Sequence, residues 1–243
     1  LGESLQEWRT DAFHNICNTL TSLEINAVSI PSKAFRDCSN LTSLTLGDTV
    51  SSIGSEGFRG VSGLTSLVIP ENIISIGSYA FAQNSGLESI QIPGSLSIIQ
   101  SSVFQDASSL TSLILGEGIT EIGNDVFFNA SKLTSIDLPS TLASIGIEAF
   151  SGTGLTSLEI SDSIISIGRR AFYKAPIESL ILGNALQSIG TEAFFGMCST
   201  LKSAVIKMAS IPERLFFNCT RLNELNIDDT VVSIGGYAFS GAV

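Results

Sequence analysis

The side chains best suited to chemistry in this chain are four cysteines, one histidine and many serines. His14 could act as a base for Cys17, since an adjacent imidazole can activate a thiol. The places equivalent to His14 elsewhere hold Arg36, Arg59, Gln105 or Ser151, so His14 reads as a surface residue. A single histidine excludes multi-histidine metal centres. The sequence has no G-x-G-x-x-G, phosphate-binding loop or G-x-S-x-G stretch. Its acidic residues lack the dense spacing of a dedicated calcium loop. The expectation is a protein without catalytic residues, cofactor or metal.

The cysteines form two sets, Cys17 with Cys38 and Cys198 with Cys219, each lying three residues before a leucine. Ala107 and Ala130 stand near the same slot elsewhere. The favoured reading is a small buried residue stacked on its copy. A disulfide is the alternative: a spacing of about 5 Å suits the Cα atoms, although parallel side chains are poorly aimed. On this reading cysteine usage does not settle the compartment. Three N-x-S/T triplets occur, at Asn40, Asn129 and Asn218. Asn129 and Asn218 are candidate glycan acceptors before a strand, provided the source is a eukaryotic secretory pathway.

The formal charge is −11, which argues against a polyanion such as nucleic acid as a partner. Charge is uneven: residues 41–168 carry twelve acids and two bases, and residues 169–221 carry seven bases and three acids. A solvated acidic edge is favoured over a site for a basic partner. No apolar run approaches the roughly 20 residues of a membrane span. No basic-then-apolar leader opens the chain, as expected if it begins inside a repeat.

All of these residues hang on a repeat. Phe13, Phe35, Phe58, Phe81, Phe104, Phe127, Phe150, Phe172, Phe194, Phe216 and Phe239 stand 22 or 23 residues apart. Five to seven residues after each comes an apolar triad such as Leu64, Leu67 and Ile69, or Leu110, Leu113 and Leu115. Its last two members alternate with a variable residue, the mark of a strand with one buried face. Gly or Pro often ends that strand. A unit this short cannot bury its own apolar side chains and must stack on copies of itself, leucine over leucine and phenylalanine over phenylalanine. Ten such strands would form one parallel sheet of about 48 Å. Residues 20–35 and 201–216 are two residues shorter than the other units and carry Ile30-Pro31 and Ile211-Pro212 where others carry Ile-Gly. Proline fixes φ near −65°. Either the usual glycine is not there for positive φ, or the deletion has rebuilt the turn. Residues 1–243 read as one solenoid without linker or second domain. Leu1, Leu5, Trp8 and Phe13 match the second half of a unit, and neither end shows a polar cap, as expected of an excerpt from a longer array.

The stretch LTSLVIPENIISIGSYAF (residues 64–81), with SIGIEAF (144–150), SIGRRAF (166–172) and SIGGYAF (233–239), resembles the BspA-like, or treponemal-type, leucine-rich repeats. The resemblance covers essentially the whole chain. It implies an α/β right-handed solenoid with a concave parallel sheet and short helical or irregular convex segments. It also implies a cell-surface or secreted protein with a role in adhesion, and offers no catalytic residues to carry over.

On such a scaffold the variable strand residue points off the concave face. Along the array it reads Glu24, Thr45, Val68, Gln91, Ile114, Asp137, Glu159, Ile181, Val205 and Asn226. Small serines two places earlier flatten the surface. Val68, Gln91, Ile114, Asp137, Glu159, Ile181 and Val205 are the candidate ligand contacts, because exposed apolar residues in a group mark interaction sites; β-branched residues also simply favour strands. A second candidate is an aromatic stripe directly after the ladder phenylalanine: Phe128, Tyr173, Phe195 and Phe217, unless those rings fold into the core edge. The expected function is binding of a protein or glycan by the concave sheet of a surface adhesion protein. The alternatives are a spacer or self-assembly element using its ends or the stripe, and an intracellular scaffold.

Overall fold

The computed structural model describes Phe13 and residues 16–242. His14 and the N-terminal match at Leu1, Leu5 and Trp8 lie outside the described residues. The chain winds as a parallel solenoid in which a typical coil carries a long strand, a two-residue strand and a run of turns. The long strands are Ser22–Ile25, Ser43–Leu46, Ser66–Val68, Ser89–Ile92, Ser112–Leu115, Ser157–Ile160, Ser179–Leu182, Ser203–Ile206 and Glu224–Ile227. Among the described residues every strand pairing is parallel and in register, serine opposite serine in most rungs. The expected strand at residues 135–138 is absent, and the long ladder falls into sheets of two, three and four strands.

A second ladder is formed by the Ser-Ile of each Ser-Ile-Gly, as in Ser52–Ile53 and Ser75–Ile76. Sequence reading assigned those isoleucines only to the core. Most of these isoleucines lie buried on their copies, Ile30, Ile53, Ile76, Ile145 and Ile167 among them, which brings neighbouring backbones to bonding distance.

The phenylalanines form the expected column. Neighbouring rings stack with centroids 4.9–5.8 Å apart, and Phe35, Phe58, Phe81, Phe104, Phe127, Phe150, Phe172 and Phe216 are fully buried. Each buried ring contributes about 1.5–3 kcal/mol by removal from water. One junction is different: among the described residues no stack joins Phe194 to Phe216.

Of the helical or irregular segments expected between the strands, the described ones are irregular runs of turns. Helical geometry among the described residues is limited to 3-10 turns such as Met197–Ser199. The reason is local. The residue two before each ladder phenylalanine has positive φ, as in Lys33, Glu56, Tyr79 and Asp125. So does the residue two after, as in Asp37, Asp106, Asn129 and Gly152. Left-handed residues at that spacing prevent a continuous helix. They instead aim the N–H groups sideways: Phe35, Phe58 and Phe127 each donate to a carbonyl of the next coil at 2.8 Å. Asp, Asn and Gly recur in the later slot because they tolerate this conformation best.

The glycine after the short strand has another role. Gly54, Gly77, Gly146, Gly168, Gly190 and Gly235 do not have positive φ. A Cβ on any of them would lie 2.3–2.5 Å from backbone of the preceding coil. Glycine is required there for close approach. This settles the question raised by Pro31 and Pro212 in favour of the first alternative, that the glycine does not serve positive φ.

Candidate functional site

The long-strand register brings the candidate contacts into rows. Val68 pairs with Gln91 and Gln91 with Ile114; Glu159 pairs with Ile181, Ile181 with Val205 and Val205 with Asn226. Val68 is 66% exposed and Ile114 57%, whereas Ile181 and Val205 are half-buried. Gln91, Asp137 and Glu159 are exposed. Asp137 stands on a segment without strand geometry, between the rows. The flanking serines Ser66 and Ser112 are exposed and Ser89 half-buried, so the face is low between its variable side chains. Sequence reading missed Ile74, which is 71% exposed beside the short strand Ser75–Ile76. Its place before the Ser-Ile pair, filled by Val28, Ile165 and Val232 in other coils, was the available signal.

The aromatic stripe is only partly assembled. Tyr173 and Phe195 stack with centroids 5.1 Å apart, and Arg170 and Lys174 each stand 5.2 Å from the Tyr173 ring. Phe128 is half-buried two coils away. Phe217 is exposed under Arg214, 5.8 Å from the ring, and no stack joins it to Phe195 among the described residues.

The cysteines correct the favoured sequence reading. They are bonded as Cys17–Cys38 and Cys198–Cys219, with Cα atoms 4.2 and 4.1 Å apart. Stacking on adjacent coils brings the Cα atoms within bonding range, so the buried slot and the disulfide are the same arrangement. The sequon residues Asn129 and Asn218 are exposed at positive φ, while Asn40 donates to the Asn18 carbonyl at 2.6 Å. Asn129 also donates from Nδ2 to Asp106 at 3.0 Å.

Electrostatics on the turn side are local. Glu56 is met by Lys33, Arg36 and Arg59, and Glu148 by Arg169 and Arg170. Burial raises the Asp125 carboxyl above its ordinary value, and the Glu148 charge adds to this. The Ser140 N–H and hydroxyl lower that of Glu117. Among the described residues, no three His, Cys, Asp or Glu side chains come together as metal ligands. No described helix is long and apolar enough to cross a membrane.

Stacked parallel coils with an outward row of variable side chains define a repeat-scaffold protein. The chain belongs to the family of BspA-type leucine-rich repeat regions, whose six-copy profile matches residues 6–134 and again 120–243. Among solved structures it is similar to a leucine-rich repeat protein of Bacteroides ovatus: 27% identity and TM-score 0.77, over 96% of this chain and 67% of that one. It also shares its fold with a leucine-rich cell surface protein of Faecalibacterium prausnitzii, at 23% identity and TM-score 0.54, over 90% of this chain and 82% of that one. The pneumococcal vaccine antigen PcpA has the same fold at 21% identity and TM-score 0.51, over 88% of this chain and 67% of that one. No curated protein sequence matches the chain.

Proposed function

We propose that this solenoid is a non-enzymatic binding module of a cell-surface or secreted protein, holding a protein or glycan partner against the long-strand face, the concave side in this family. The observation that carries this reading is the registered row Val68, Gln91, Ile114, continued in Asp137 and Glu159. Two of its members are large apolar side chains left more than half exposed. Exposed apolar side chains grouped on a rigid sheet are the usual anchors of an interface. An extracellular setting is supported by two inter-coil disulfides. The description of the Faecalibacterium relative as a cell surface protein points the same way.

The test is a panel of immobilised matrix proteins and glycans. Replacing Ile114 and Asp137 together by lysine should abolish binding to whatever ligand the panel yields and leave the circular dichroism unchanged. Both side chains are exposed, so the core is untouched. Undiminished affinity in that variant would sink the assignment. A second reading, self-association, draws on Phe195, which is 53% exposed on the turn side. Concentration-dependent sedimentation, removed by Phe195→Ser, would favour it.

A further inference from the structure

The solenoid opens at one junction. At the other described junctions of full coils, three N–H groups of one turn run donate to three carbonyls of the next. Arg170 donates to Thr191 at 3.1 Å, Phe172 to Ala193 at 2.8 Å and Lys174 to Phe195 at 2.7 Å. One junction later the equivalent N–H groups of Glu192, Phe194 and Gly196 have no partner among the described residues. The carbonyls that would receive them, on Glu213, Leu215 and Phe217, accept no hydrogen bond from any described residue. The pattern then resumes, with Arg214 donating to Gly236 at 3.1 Å and Phe216 to Ala238 at 2.8 Å. The short strand Ser188–Ile189 has no pairing to Ser210–Ile211 either, a break that the short ladder also shows between Ser75–Ile76 and Ile98–Ile99, where the turn-run bonds are intact.

Pro212 contributes to the opening but is not sufficient for it, since the coil with Pro31 in the same slot keeps its Phe13–Phe35 stack at 4.9 Å. Its predecessor in the slot, Gly190, donates its N–H to the Ile167 carbonyl at 2.8 Å, and Pro212 has no N–H to give Ile189. A Cβ on Gly190 would lie 2.3 Å from the nitrogen of Arg169, so a proline in that slot pushes its coil away from the one before. The coil is also two residues shorter, while the preceding Met197–Ser199 turn adds a residue before Leu201. The two coils remain joined on both sides of the gap. Ser179–Leu182 pairs with Ser203–Ile206 on one flank, and Cys198 is bonded to Cys219 on the other. The result is a framed cavity of about 750 Å³ whose apolar walls include Phe194, Phe195, Leu215 and Phe217. That volume lies within the range of ligand pockets.

We infer that this window is a docking slot for an extended peptide segment of a partner protein, taken up as one additional rung between the two coils. Three donors on one wall at alternate residues face three acceptors on the other. A peptide backbone offers the complement of both. A purely apolar ligand would displace water from all six groups and pair none of them. Backbone pairing of an added rung supplies affinity, and the apolar walls select side chains. The site lies on the turn side, away from the long-strand face, and does not depend on what that face binds.

The test uses the full chain and a phage-displayed library of random short peptides. Selected peptides should bind the wild type and lose about ten-fold or more in affinity for Phe195→Asp/Phe217→Asp, the loss expected when exposed anchors at the mouth are replaced. They should also bind more weakly to Pro212→Gly, which restores the missing N–H and removes the ring. Peptide binding should slow hydrogen exchange at the Glu192, Phe194 and Gly196 amides. Failure to enrich any peptide would overturn the proposal, as would peptides indifferent to Phe195→Asp/Phe217→Asp or leaving those amides unprotected. Peptides lost instead in the Ile114→Lys/Asp137→Lys variant would also overturn it while supporting the long-strand face. Dimerisation abolished by Phe195→Asp/Phe217→Asp, with no peptide selected, would make the occupant a second copy and overturn the partner assignment.

Discussion

At the scale of single residues, most side chains that could do chemistry serve the repeat. Many of the serines lie on strands, and the asparagines of two sequons sit where a left-handed backbone favours them. Asp125 is the clearest titratable exception. Its carboxyl is raised chiefly by burial and then by Glu148, so as pH rises through 3.8 the unfolded chain loses its proton first. Folding stability therefore falls over that interval and stays lowered once the folded group ionises. Asp125→Asn should raise Tm above the wild type at neutral pH, and the advantage should vanish below the carboxylate range; melts across pH check this. None of it was legible in sequence, because the shift depends on neighbours one coil away. The exposed row Val68 to Glu159 was legible, because strand alternation fixes which residues face outward. The half-burial of Ile181 and Val205 was not, since it depends on how neighbouring side chains lean.

At the scale of the coil, the conserved spacing within the chain revealed one strand, the phenylalanine column and the parallel stacking. It did not reveal the second ladder, since two residues are too few for alternation to show. Nor did it decide between helical and irregular for the run after the short strand, because positive φ at Glu56 or Tyr79 leaves no mark in residue type. The glycine slot is a packing constraint that can be tested directly. Gly146→Ala places a Cβ 2.5 Å from the Gly123 carbonyl carbon and should cost about 1–3 kcal/mol in denaturant unfolding. Gly236→Ala, with nothing within 4 Å of its Cβ, should stay within about 0.5 kcal/mol.

At the scale of the whole molecule, the two coils with proline in the glycine slot of Ser-Ile-Gly are also the two that disulfides clamp to their predecessors: Cys17–Cys38 brackets residues 20–35 and Cys198–Cys219 brackets residues 201–216. Both halves of that coincidence stand in the sequence, but only the structure shows that the second clamp frames an opening. Replacing Cys198 and Cys219 together by alanine should lower stability by about 3 kcal/mol. Hydrogen exchange in that variant should accelerate first at residues 188–197. The rest of the solenoid resembles a column held by nearest neighbours, in which a partner can contact several coils of a rigid face at once. That face is the central claim. The measurement that tests it most directly compares three proteins on one ligand taken from the matrix and glycan panel: the wild type, Ile114→Lys/Asp137→Lys and Phe195→Asp/Phe217→Asp. We expect only the long-strand variant to lose affinity. Loss in the turn-side variant alone, with the long-strand variant binding as the wild type does, would contradict the account.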